Sequence, residues 1–394
     1  MGRIPVESCD ARHVRLNAKD ILAFAGCNYL GLSFHPDVQR AVRDGLTRYG
    51  LSTTASRETT GNTLTHEALE HELAAFVGQE AAILLAEGYT ANFAACQALA
   101  RTCGVALLDS KSHRSLRNAA TAAGMQVFEF EHLDARSAAW LVEKYADVGV
   151  SILTDSVFAA DGAVAPLRDL LAVLPRERAA LLVDDCHGFC VLGHAGRGAI
   201  DHFNLTDPRI VITTTLAKGL GCYGGAVMGR PIFIRTVREH AGVYRGSTPV
   251  PPAIAEGCRA AVRVLAAEPW RVDKLRDNVS RLRRGLLDLG LRVPDAAAGE
   301  GAGAHVPIFT FVMEPRAEMD RISDTMRERG VLAPVIDYPG GPAPRYFRVV
   351  VNAMHETPDI ERLLAELRRA MDSSISDPAT AAPAAAVIAS ARGS

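Results

Sequence analysis

Six short segments in the first two-thirds of the chain read as buried strands: AAILLA (81–86), VALLD (105–109), QVFEF (126–130), VSILTD (150–155), AALLVDD (179–185) and IVITTT (210–215). Between most of them lie segments with helical spacing, as in Leu69, Leu73, Phe76 and Val77 at i, i+4, i+7 and i+8. Continuously apolar strands separated by helices predict an α/β fold with a mainly parallel sheet covered on both faces. Ligands of such sheets sit beyond the carboxyl ends of the strands.

After about residue 262 the texture changes. An Arg-rich helix (270–290) leads into VPIFTFVM, a helix over AEMDRISDTMRERG, a strand in RYFRVVVNA and a helix over PDIERLLAELRRAM. This pattern predicts a smaller C-terminal α+β domain. The expected organisation is an N-terminal segment (1–40), a large domain (41–262), a small domain (263–372) and an Ala/Pro/Ser-rich disordered tail (373–394).

Composition narrows the partners. The 394 residues are 48% hydrophobic and 22% charged, with a net charge of −2 and no basic block, which disfavours nucleic acid. No apolar run approaches the roughly 20 residues that span a bilayer. The first residues, MGRIPVESCDARHVRL, contain no apolar core of a secretory signal. Eight scattered cysteines read as reduced thiols, and the expected location is the cytoplasm. Cys186 and Cys190 flank His187 but lack a second ligand pair, so no metal is expected.

One residue type is rare in an informative way. Of 43 basic residues only five are lysines, Lys19, Lys111, Lys144, Lys218 and Lys274. Lys218 follows a strand and precedes Gly219, Gly221 and Gly224. A buried lysine can lose its proton, which arginine cannot. The glycines spell a dinucleotide fingerprint, but that motif must open a helix, and GGAVMG predicts a strand. Glycines that let the backbone pass close to a ligand tethered at Lys218 fit better.

A lysine at a strand end beside a cofactor suggests a Schiff base with pyridoxal 5'-phosphate (PLP). Taken alone, Lys218 is equally a strand-capping surface lysine, but the other needs of PLP are met along the chain. The pyridine nitrogen needs a carboxylate, and LLVDDCH supplies Asp184 at a strand end, with His187 three residues on. The phosphate needs N–H groups at a helix start, and Gly88 and Tyr89 lie between a predicted strand and a predicted helix.

The motifs NYLGL (28–32), SHRSL (112–116), DGAVAPL (161–167), VDDCHGFCVLGHAGRGAI (183–200), TTLAKGLGCYGG (214–225) and STPVPP (247–252) follow one another in an order and spacing that resembles the α-oxoamine synthase family of fold-type I PLP-dependent transferases. The resemblance covers nearly all of the chain before the tail. It implies that Lys218 carries the cofactor and moves the α-proton, that Asp184 pairs with the pyridinium, that His187 bonds the phenolic oxygen and that His113 stacks on the ring. Thr215 would sit beside the cofactor, and Ser247 and Thr248 would reach the phosphate of a neighbouring subunit, implying a homodimer with shared sites. Asn28 and Arg348 would hold the amino-acid carboxylate, for which a guanidinium fork is suited.

The implied reaction is a decarboxylative Claisen-type condensation of an amino acid with an acyl-CoA, or a thioester of an acyl-carrier protein, in biotin or specialised-metabolite biosynthesis. The alternatives are a fold-type I aminotransferase and, more distantly, a non-catalytic PLP-binding protein. Two residues depart from the family pattern. Glu87 stands where a small hydroxyl residue precedes the phosphate-binding Gly, so its carboxylate is expected to point away or to pair with an arginine. Ala159 lacks a hydroxyl that helps hold the cofactor, which leaves more to His187.

Overall fold

A computed structural model describes residues 5–313 and 316–375. The chain opens with three short strands, β1 (Glu7–Ser8), β2 (His13–Leu16) and β3 (Lys19–Ala23). Seven strands follow: β4 (Ala81–Leu85), β5 (Val105–Asp109), β6 (Gln126–Phe130), β7 (Val150–Asp155), β8 (Ala179–Asp184), β9 (Ile210–Thr215) and β10 (Gly225–Gly229). They form one sheet in the order β4-β10-β9-β8-β7-β5-β6, parallel throughout except for β10, which runs antiparallel to both its neighbours.

Alternate side chains of a strand leave on opposite faces, and here each face meets its own helices. Ile83 and Leu85 join a cluster with Ala94 and Leu116, from the helices Gly88–Leu99 and Arg114–Ala122. Leu84 joins the other cluster with Leu69, Leu141 and Leu170, from the helices Leu64–Val77, Ala135–Tyr145 and Leu167–Ala172. This double covering explains why the strands are apolar without alternation. QVFEF corrects that reading in one place. As edge strand β6 it exposes Gln126 and Glu129 and fully buries only Phe130. The opposite edge, β4, is buried along most of its length, and its Leu84 N–H donates to the buried carboxylate of Glu70 (2.9 Å), itself ion-paired with Arg57.

The C-terminal part contains β11 (Ile308–Phe311), β12 (Val331–Leu332), β13 (Val335–Ile336) and β14 (Tyr346–Val350), with β14 central in an antiparallel three-stranded sheet β11-β14-β13. β12 instead pairs in parallel with β3 and completes the sheet β1-β2-β3-β12. Backbone bonds from Val350 N to Phe24 O (3.0 Å) and from Ala353 N to Tyr29 O (2.8 Å) run the N-terminal chain along this region. Residue 262 lies inside the helix Pro252–Ala267, and a new helix, Trp270–Asp288, begins after Pro269. The last helix runs Thr357–Ile375, and most of the Ala/Pro/Ser-rich tail lies outside the described residues.

Candidate active site

The carboxyl ends of β7, β8 and β9 converge with the turn after β9 on a cavity of about 200 Å³. Its lining includes Gly88, Tyr89, His113, Asp184, His187, Thr215 and Lys218, seven residues singled out from the sequence.

The turn between β9 and β10 fixes the lysine. Leu216 N donates to Gly224 O (2.9 Å), Cys222 N to Leu216 O (3.0 Å), and Gly221 N back to Lys218 O (3.0 Å). A Cβ at Gly219 would run into Cys190, so only glycine lets the chain turn this close to the β8 loop. Thr215 Oγ1 accepts from Ala217 N (3.2 Å) and donates to Gly224 O (3.2 Å). Lys218 Nζ lies 2.8 Å from His187 Nε2, and His187 Nδ1 lies 2.6 Å from the hydroxyl of the fully buried Tyr29. Burial, then the charges of Lys218 and Arg348, hold His187 well below the usual histidine pKa, so the imidazole is neutral.

Asp184 ends β8, directly beside Asp155 at the end of β7. Both side chains are about 4% exposed. Asp184 accepts from Asn92 Nδ2 (2.7 Å) and from Cys186 N (3.0 Å). Asn92 is oriented in turn by Thr213 Oγ1, which donates to its Oδ1 (2.5 Å). Asp155 accepts from the backbone N–H of His113 (2.7 Å). Burial first, then the Asp184 charge, pushes the Asp155 pKa well above the usual carboxylate range. Burial and the Lys218 charge also lower the pKa of His113, whose Nδ1 lies 2.7 Å from Ser115 Oγ.

The helix Gly88–Leu99 opens onto the same cavity. Thr90 Oγ1 accepts from Glu87 N (3.2 Å) and donates to Glu87 O (2.9 Å), closing the first turn. A Cβ at Gly88 would stand 2.7 Å from that of Thr215, so a larger residue would push the helix start away from the strand end. Glu87 is among the residues that line the cavity, and of the two expectations for it the arginine partner is not met among the described residues.

Four predicted residues stand outside this lining. Arg348, on β14, donates through Nε to Ala159 O (2.9 Å), and its two terminal nitrogens have no protein partner among the described residues. Asn28 Nδ2 donates to Ser33 Oγ (2.7 Å), so this amide is engaged within its own loop. Ser247 Oγ donates to Tyr244 O (2.9 Å), and Thr248 is exposed. Asn92, Asp155, Ser115 and Tyr29 were not singled out from the sequence. Two of them left a signal: Asn92 is a lone amide in the apolar helical run YTANFAACQAL, and Asp155 ends its strand as Asp184 does.

The donor set suits PLP. A carboxylate held by an amide, a neutral imidazole beside an amine and a helix start all face one cavity of cofactor-ring size. Residues 19–367 match the family described as aminotransferase class I and II, and the chain belongs to that family. Within it, the chain is 36% identical over 365 residues to the 8-amino-7-oxononanoate synthase of Thioalkalivibrio sulfidiphilus (strain HL-EbGR7), covering 91% of this chain and 90% of that protein. Its fold matches a solved serine palmitoyltransferase from Sphingomonas wittichii, with a TM-score of 0.85 and 24% identity over 94% of this chain and 92% of that one. A serine palmitoyltransferase from S. paucimobilis solved with a PLP–myriocin adduct gives 0.85 and 23% over the same shares. These similarities are those of the α-oxoamine synthase group, as the motifs implied.

Proposed function

We propose that the protein is a PLP-dependent α-oxoamine synthase, an acyltransferase that condenses an amino acid with an acyl thioester. An amino acid and an acyl thioester give an α-amino ketone, free thiol and carbon dioxide. The thiol is coenzyme A or a carrier-protein arm, and the product feeds biotin or specialised-metabolite biosynthesis. The observation that carries the reading is the meeting of Lys218, His187, Asp184 and His113 in one cavity at the strand ends. The 8-amino-7-oxononanoate synthase relatives support it, since their name describes an amine and a ketone on adjacent carbons.

When bound, PLP supplies the electron sink for a carbanion at the amino acid's α carbon. Lys218 is the only lysine lining the cavity and would tether the cofactor. Its Nζ would also be the base placed to take the α-proton. Asp184, fixed by Asn92 and Cys186 N, would hold a proton on the ring nitrogen. His113 would cover one ring face. His187, kept neutral and oriented by Tyr29, would present Nε2 to the phenolic oxygen. The first N–H groups of the helix after β4, at Gly88 and Tyr89, would take the phosphate together with Thr215. Arg348 has free nitrogens for a carboxylate, and Asn28 would assist after leaving Ser33. Ser247 and Thr248, outside this cavity, would serve the partner's site in a homodimer.

The test supplies single amino acids and a panel of acyl-CoAs to the holoenzyme and measures thiol and carbon dioxide. The expected outcome is equal release of both without any keto acid, abolished in Lys218→Ala. Keto-acid-dependent amino transfer with no thiol release would make the protein an aminotransferase instead.

A further inference from the structure

One buried amide connects two of the side chains that face the cofactor cavity. Asn92, on the helix Gly88–Leu99, is 1% exposed, and so is Ser115, on the helix Arg114–Ala122. Asn92 Nδ2 donates to Asp184 Oδ2 (2.7 Å) and to Ser115 Oγ (2.9 Å), while its Oδ1 accepts from Thr213 Oγ1 (2.5 Å). Ser115 Oγ lies in turn 2.7 Å from His113 Nδ1.

The protons along this chain can be placed one at a time. Asp184 accepts, as it also does from Cys186 N, so the amide turns its nitrogen to Asp184 and its oxygen to the Thr213 hydroxyl. The second amide hydrogen takes a lone pair of Ser115 Oγ, which leaves the hydroxyl hydrogen for His113 Nδ1. The backbone N–H of Ser115 points at the same Nδ1 (3.3 Å), and a backbone N–H only donates. Nδ1 is therefore an acceptor. Burial holds the His113 pKa below the usual histidine value, so at neutral pH the ring carries one proton, and that proton sits on Nε2. Nε2 has no protein partner among the described residues, and His113 lines the cavity.

A buried amide ordinarily just satisfies its neighbours. Here both groups it donates to, Asp184 and Ser115, line the cofactor cavity. We propose that Asn92 and Ser115 are positioning residues that couple two cofactor contacts: the amide aims Asp184 and, through Ser115, holds His113 in the tautomer with its proton on Nε2. This rests on the reading of the cavity as the PLP site. Nδ1 is thereby tied into the protein, and the free Nε2–H is a donor at the cavity wall.

The test records side-chain nitrogen NMR spectra of histidine-labelled holoenzyme, with His113 assigned from the signal lost in His113→Asn. Wild type is expected to favour the Nε2–H form of His113 by about tenfold or more. Ser115→Ala should cut that ratio by about fivefold, as for one lost neutral hydrogen bond, and Ser115→Thr should restore it. Asn92→Leu should cut it by a similar factor although it does not touch His113, and should speed PLP loss by about tenfold. Ser115→Ala should leave PLP loss nearly unchanged, since Asn92 still holds Asp184. Asn92→Ala gives the same comparison should Asn92→Leu not fold. A wild-type His113 protonated at Nδ1 overturns the proposal, as does a ratio unchanged in Ser115→Ala. Faster PLP loss in the Asn92 variant with the ratio intact also overturns it, because the amide would then serve Asp184 alone. Failure of the α-oxoamine synthase reading looks different. No amino acid or thioester is present in these spectra, so the tautomer ratios would stand while turnover released no thiol.

Discussion

The two ends of the central sheet differ instructively. At the amino ends of the strands lies the larger cavity, about 490 Å³, bordered by Arg209 and Arg230. Its Arg209 is already committed. Arg209 donates to the carbonyls of Leu174 (2.7 Å) and Pro175 (2.9 Å) and forms a two-point pair with Asp207 (2.9 and 2.7 Å). At the carboxyl ends the cavity is less than half that size, yet it gathers two buried carboxyls, two imidazoles and an amine. Size does not make a reactive site. Converging ionisable groups with shifted pKa values do.

Asp184→Asn gives the sharpest break. It should lower turnover by roughly 10²-fold or more, as for loss of a preorganised charge contact. Asp185→Asn, one residue on, should cost far less activity. Asp185 faces away, accepting from Ser156 Oγ (2.5 Å) and Ala199 N (3.1 Å). Its effect belongs to stability. Burial raises Asp185 from the usual 3.8 to about 7, so the folded state binds the extra proton. Its contribution is therefore present at acid pH and lost as pH rises through 7. Melting curves from pH 4 to 7 should show a shallower decline in the Asn variant. Equal, small activity losses at both positions would misplace the carboxylate.

Arg348→Ala should weaken amino-acid binding by roughly 10- to 150-fold, from a lost contact of about 1.5–3 kcal/mol. PLP should remain bound, since Arg348 is not in the cofactor cavity lining. A variant stripped of PLP would contradict the carboxylate role. Glu87→Ser is the next step down. Removing a partly exposed charge from the helix start should slow cofactor loss, with a Kd for PLP lower by about two- to fivefold. Weaker retention would mean that Glu87 assists the phosphate site. Smallest of all is Arg209→Ala, which should leave turnover within about twofold of wild type. A large loss there would give the amino end a role in the reaction.

Much of the architecture could be read from apolar pattern alone. Buried strands such as β7 and β8 are contiguous, so their signal is local. The short strands β1, β2 and β12 carry no period, and the pairing of β3 with β12 joins residues more than 300 positions apart. The site divides in the same way. Lys218, Asp184 and His187 sit at strand ends that the pattern marks. Asn92 matters because it reaches Asp184, 92 residues away, and Tyr29 because it reaches His187, 158 residues away. Such contacts exist only after folding.

The position of β10 bears on how the protein is made. It is the last strand of the central sheet to be synthesised, yet it lies between β4 and β9. A ribosome that has released only the residues through β9 has produced β4 and the helix after it, but not the strand that seats them. β4 then presents an apolar, unpaired edge, the hazard that chaperones cover. Gly224 and Gly225, at the start of β10, pack against the Lys218 turn and the Glu87–Gly88 helix start. Cofactor loading is thereby expected to follow completion of the sheet.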